Sequence, residues 1–123
     1  MKLSPYIVVN HVQEAIDFYR ETFGGEVIPL NEHQGKLLHA ELKIQEDVVL
    51  HFSDSYGKPA RNEGTQILLT FDNPETQQRI YDALSDQGNP HMPLNQTFFN
   101  ALHGQVTDRY GVNWLLNCFI KEG

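Results

Sequence analysis

Apolar and polar residues alternate over residues 3–10, with Pro5, Ile7 and Val9 on one face and Ser4, Tyr6, Val8 and Asn10 on the other. This is the period of a strand. At Val12 the period lengthens. Val12, Ala15, Ile16, Tyr19 and Phe23 form one stripe of an amphipathic helix over 12–23, with Asn10 or His11 to cap its start and Gly24-Gly25 to stop it. A short strand is predicted over 26–30. A polar segment, 31–35, leads into a strand over 36–44, and another follows a tight turn, over 48–53.

The second half repeats this order. Ile67, Leu69 and Phe71 alternate with Gln66, Leu68 and Thr70. Asp72-Asn73-Pro74-Glu75 reads as a helix start, with a side-chain cap, a proline at the first helical position and an acid in the first turn. Gln77, Ile80, Tyr81 and Leu84 carry the stripe of a helix over 75–87 that ends at Gly88. Strands are predicted over 91–96, 102–108 and 113–119. Val9 and Phe71, each just before its helix, are 62 residues apart, about half the chain. The economical reading is an α+β fold of two βαβββ modules in tandem, 1–53 and 65–123, joined by a linker over 54–64 rich in Gly, Pro, Ser and Asn. A ferredoxin-like sandwich uses two strands between its helices, whereas four are counted here.

Composition narrows the function classes. With 123 residues, 40% hydrophobic and 20% charged, the chain reads as one ordinary globular domain. Nine Lys and Arg against sixteen Asp and Glu give a net charge of −7 with no basic cluster, which argues against nucleic acid as a partner. No apolar run approaches the roughly 20 residues of a membrane helix, and Met1-Lys2-Leu3 opens no signal-peptide pattern. The lone Cys118 forms no internal disulfide, so a reducing cytoplasm is expected.

Period-2 alternation then sorts side chains by face. Leu38, Ala40, Leu42 and Ile44 form an apolar set opposite His39, Glu41 and Lys43; Val48, Leu50 and Phe52 oppose Val49, His51 and Ser53. If both apolar sets face the helix, a three-residue turn at Gln45-Glu46-Asp47 pairs Ile44 with Val48, Leu42 with Leu50 and Glu41 with His51. A two-residue turn would set His51 opposite Leu42 and mix the faces. Gln66, Asn113, Leu115 and Asn117 also fall away from the helices, whereas Trp114, Leu116 and Cys118 face them. Such a face is either solvated or lines a polar cleft. His11, His33 and His91 lie at element ends or in a loop and are expected to be exposed. Glu41 with His51 is the best chemical pair; its bland alternative is a cross-strand ion pair worth at most about 1 kcal/mol.

Several segments carry a resemblance. Leu3-Ser4-Pro5-Tyr6, the run from Glu14 to Tyr19, Phe23-Gly24-Gly25-Glu26-Val27, Leu38-His39-Ala40-Glu41-Leu42, the run from Met92 to Phe99 and, most specifically, the run from Gly104 to Trp114 resemble PhnB-like proteins. These belong to the vicinal oxygen chelate (glyoxalase/bleomycin resistance/dioxygenase) superfamily. The resemblance implies a curved mixed sheet with a U-shaped cleft, a homodimer and, as in the superfamily's enzymes, a divalent metal ion as the candidate cofactor. Its four ligand positions fall here on Ser4, His51, Gln66 and Leu115. His51 and Gln66 can ligate, Ser4 is poor and Leu115 cannot, so the inherited set is incomplete; Glu41 could join His51 by geometry.

Two function classes follow. One is a metal-free protein that binds a small organic molecule, with Tyr6, His39, Gln66, Phe98, Phe99, Asn113 and Asn117 as ligand-binding residues and Trp114 as a further aromatic. The other is a divalent-metal-dependent lyase, isomerase, transferase or dioxygenase, with His51, Gln66 and Glu41 at the metal and Glu41 or His51 moving a proton. A homodimer is expected on physical grounds as well, since half-size modules have little core of their own and leave sheet edges to cover.

Overall fold

The computed structural model describes residues 1–97 and 99–120; Phe98, one of the expected ligand-binding aromatics, lies outside the described residues. The chain divides into two compact units, Met1–Asn62 and Glu63–Gly123. The first contains β1 (Tyr6–Val9), α1 (Val12–Phe23), β2 (Glu26–His33), β3 (Lys36–Gln45) and β4 (Val48–Asp54). The second contains β5 (Gln66–Phe71), α2 (Pro74–Ser85), β6 (Asn89–Gln96), β7 (Ala101–Thr107) and β8 (Asn113–Phe119). Each unit is a βαβββ module. No helix among the described residues is long and apolar enough to cross a membrane.

Each module forms a four-stranded mixed sheet, ordered β1-β4-β3-β2 in the first and β5-β8-β7-β6 in the second. The first and last strands of each module pair in parallel, and the other neighbours are antiparallel. Parallel neighbours need a long crossover, which the rest of the module supplies. One helix lies against each sheet. Ile7, Val9, Ile16, Tyr19, Leu42 and Phe52 are buried in the first unit, and Ile80, Tyr81, Leu84, Val106, Trp114 and Leu116 in the second. Cys118 is buried with the latter set.

The helix boundaries have local causes. Asn73 Oδ1 accepts the backbone N–H of Thr76 at 3.0 Å, and Pro74 opens α2 at the first position. This helix starts one residue before the predicted 75–87 span and ends two residues earlier, where Gln87 takes a positive φ of 59°. At α1 the expected side-chain cap is absent. His11 stands at the cap position with no side-chain hydrogen bond, while Asn10 Oδ1 accepts the Ser55 hydroxyl at 2.8 Å.

Three strand features differ from expectation, all through bulges or edges. β1 is confined to Tyr6–Val9 although Pro5 still gives its carbonyl to the His51 N–H at 3.0 Å. β2 runs on through the supposed polar loop to His33 as an edge strand, with register shifts beside Leu30 and Leu38; the second passes the core position to Leu37, 5% exposed. The β3–β4 turn contains two residues, Glu46-Asp47, and Val48 pairs with Gln45 instead of Ile44. A bulge at Ile44 absorbs the odd residue, so Leu42 still meets Leu50 and Glu41 still meets His51. The rejected turn length is therefore real, and the face assignment survives it.

The second unit's β7–β8 hairpin closes differently. Asp108 is buried and accepts three hydrogen bonds: from the backbone N–H of Tyr110 at 2.8 Å and of Val112 at 3.1 Å, and from Trp114 Nε1 at 2.8 Å. Gly111 supplies the positive φ of 80° that the turn requires. Trp114, 1% exposed, thus packs on the helix side and is not a wall of any polar face.

Candidate functional site

The sheet face away from α1 carries the chemistry of the first unit. Tyr6, His51 and Glu41 form one cross-strand row, since β4 pairs Tyr6 on one side and Glu41 on the other. Val8, Ser53 and His39 form the next. His51 Nε2 lies 3.4 Å from Glu41 Oε1, with the two side chains 26% and 27% exposed. The pair is reachable from solvent yet partly shielded, and it is charged on both sides only when the imidazole is protonated.

Aromatic rings surround this pair. The Tyr6 ring lies 5.6 Å from His39, edge-on, and 6.4 Å from His51, nearly parallel; the imidazoles of His39 and His51 are 5.8 Å apart. His39 Nε2 is buried without a hydrogen-bond partner among the described residues. Leaving such an atom unsatisfied costs about 1–3 kcal/mol, so a partner supplied by solvent or ligand would be favoured. The expected residues Tyr6, His39, Glu41 and His51 are thus brought together.

The corresponding face of the second unit holds Gln66, Asn113 and Asn117 with two residues that the sequence reading overlooked, His103 and Gln105. Its matching rows are Leu68, Leu115 and Gln105, then Thr70, Asn117 and His103. Gln105 Nε2 donates to His103 Nε2 at 3.0 Å, and His103 Nδ1 is bonded to Asn117 Oδ1. An amide group thus stands at each ring nitrogen of His103, Asn117 at Nδ1 and Gln105 at Nε2. Asn113 Oδ1 accepts the Thr107 hydroxyl at 2.7 Å. Gln66 is exposed and pairs in register with Asn113. Phe99, 43% exposed, sets its ring edge-on to His103 at 6.2 Å. His103 and Gln105 follow the same alternation that found His51. Gly104 obscured it, because a residue with no side chain interrupts the apolar set of Leu102 and Val106. His11, His33 and His91 are exposed.

The profile of the Glyoxalase/Bleomycin resistance protein/Dioxygenase superfamily matches residues 3–116. The chain belongs to this superfamily. Among its relatives is Protein YjdN of Escherichia coli, 26% identical over 140 residues and covering 95% of each chain. The solved structure of protein PA1353 from Pseudomonas aeruginosa is 30% identical, covers 97% of this chain and 98% of its own, and superposes with a TM-score of 0.82. A Bacillus cereus structure described as a putative 3-demethylubiquinone-9 3-methyltransferase, PhnB protein, shares the fold at a TM-score of 0.76 with 23% identity over 96% of this chain and 99% of its own.

Membership raises the question of a divalent metal, and the residues fit one poorly. The described residues contain no group of three His, Cys, Asp or Glu arranged to hold a metal ion. In the first unit His51 has one carboxylate beside it, and His39 faces the Tyr6 ring. In the second unit the implied last-strand position is Leu115, an aliphatic side chain. Catalytic zinc sites need three protein ligands and an open position, so no catalytic step is derived through a metal.

Proposed function

We propose that the protein binds a small organic molecule on these polar faces without a complete catalytic metal site. The observation that carries this reading is the partly exposed Glu41–His51 pair, ringed by Tyr6 and His39, with one buried imidazole nitrogen lacking a partner among the described residues. Such a patch offers a ligand one carboxylate, two imidazoles and an aromatic surface, the mixture of apolar area and few polar groups typical of small-molecule sites. Glu41 and His51 supply orientation and charge, and Tyr6 supplies contact area. On the corresponding face of the second unit, Gln66, Asn113 and Asn117 offer a ligand neutral donors and acceptors.

The second reading is a divalent-metal-dependent lyase, isomerase, transferase or dioxygenase of the superfamily. The feature that favours it is again the pair, because an imidazole beside a carboxylate can ligate or exchange a proton. Isothermal titration with zinc, nickel and manganese separates the two. Weak binding unchanged by His51→Ala supports the metal-free reading; tight stoichiometric binding abolished by His51→Ala overturns it. We further propose a homodimer, which sedimentation giving a monomer near 14.1 kDa would refute.

A further inference from the structure

The β6–β7 ladder contains a feature that the polar-face reading does not use. Met92 pairs with Gln105 and Asn95 with His103, so three steps along β6 span two along β7. Pro93 falls within the extra step, where its missing N–H leaves no ladder bond to make. The ladder shifts register there, and beside it lies a recess of about 390 Å³, lined by residues 92–97 and His103. That volume lies within the range of small-molecule sites.

The lining has a definite chemistry. Met92, Pro93 and Leu94 provide apolar walls, and the His103 ring provides an aromatic one, with the Phe99 ring 6.2 Å from it. Asn95, Gln96 and Thr97 are polar but uncharged. Among the described residues that line it, none is acidic and none is Lys or Arg. Both ring nitrogens of His103 are engaged by neutral amides, Gln105 at one and Asn117 at the other. An ion in the recess would find no counter-charge among these residues, whereas a flat ring would meet a thioether, a pyrrolidine and an imidazole.

We infer that this recess is a binding site for an uncharged aromatic small molecule, held against His103 and Met92. It lies wholly within the second unit and does not depend on the Glu41–His51 reading.

The test uses protein with 13C-methyl methionine, which contains Met1 and Met92 alone, titrated with 2-naphthol. The Met92 methyl signal should shift saturably while Met1 stays still. Asn95 is exposed, so Asn95→Trp should fill the recess without disturbing the core and weaken binding by about tenfold or more, equivalent to about 1.4 kcal/mol. The anion 2-naphthoate should bind about tenfold more weakly than 2-naphthol to the unaltered protein, and Asn95→Lys should reverse that order. Far-ultraviolet circular dichroism checks that both variants keep the fold. His51→Ala should leave the 2-naphthol titration unchanged. A still Met92 signal, equal binding of 2-naphthoate, or indifference to both Asn95 variants overturns the proposal. Loss of the 2-naphthol response in His51→Ala overturns the independence of this site.

Discussion

The two units share a backbone plan, yet their polar faces differ in a specific way. Row for row, Tyr6, His51 and Glu41 in the first correspond to Leu68, Leu115 and Gln105 in the second. The next rows keep a histidine in the same place, His39 in one and His103 in the other. The first unit therefore carries an ionisable row where the second carries two leucines and an amide. His103 is tied on both nitrogens to neutral amides, whereas His39 has a buried nitrogen with no partner among the described residues. One ladder thus supports two electrostatic environments, because the backbone sets where a side chain stands and its row neighbours set what it can do.

The hairpins differ in the same spirit. The β3–β4 turn is held by Glu46-Asp47 and a bulge, the β7–β8 turn by the buried Asp108. The largest expected effect follows from this contrast. Asp108→Ala removes three hydrogen bonds to a buried carboxylate and should destabilise the second unit by about 3 kcal/mol in urea unfolding. Asp47→Ala, at an exposed turn, should change stability by less than about 0.5 kcal/mol. Equal effects would erase the distinction between the hairpins.

A smaller effect should come from Tyr81. Its hydroxyl reaches the carbonyl oxygens of Met92 at 2.8 Å and Gln105 at 3.2 Å, joining α2 to both strands that flank the recess. Tyr81→Phe should cost about 1 kcal/mol. Burial, with Asp82 nearby, pushes the Tyr81 hydroxyl above its ordinary value. Its stabilising contribution is therefore complete below about pH 10 and lost as pH rises through the folded value. In an absorbance titration of the phenolates, the signal missing in Tyr81→Phe should be one that ionises late.

In the first unit the acid limb carries the corresponding test. The backbone N–H of Tyr56, at 2.7 Å, holds the Asp54 carboxyl below its ordinary value against the opposing effect of burial, and Lys36 Nζ at 3.2 Å assists. A depressed value means stability present above about pH 4 and lost as pH falls through the folded value. Asp54→Asn should therefore lower the thermal midpoint at pH 6 and cease to matter near about pH 2. A difference that persists undiminished in acid would refute the assignment.

The smallest effect is expected at the pair itself. His51→Leu gives the first unit the leucine of the second and should change stability by less than about 1 kcal/mol, since each partner is only partly shielded. A loss of several kcal/mol in thermal unfolding would make the pair structural and weaken its case as a binding element.

Much of this was legible from residue order. The Glu41–His51 register followed from requiring two apolar sets to face one helix, and it held even though the turn between them was misread. Ile44 bulges, and a bulge changes turn length without exchanging faces beyond it. His103 and Gln105 were missed for a different reason. At Gly104 an added Cβ would meet Leu94 Cδ2 at 2.8 Å and Tyr81 Cε2 at 3.0 Å. The apolar contact at that step is therefore made by distant side chains, and nothing at position 104 signals it.

Residue order by itself determined the repeat of the βαβββ plan, the α1 span, the Asn73 cap with its Pro74, and which side of each central strand meets a helix. These depend on periodicity and on groups within one turn of each other. Only tertiary structure decided that Asp108 receives the Trp114 indole, that the β6–β7 ladder shifts register between Met92 and Asn95, and that Tyr6, His39 and His51 converge. It also set an amide at each ring nitrogen of His103. Those outcomes depend on pairings between strands, where one extra residue or one amide chooses the partner and local sequence carries no record of the choice.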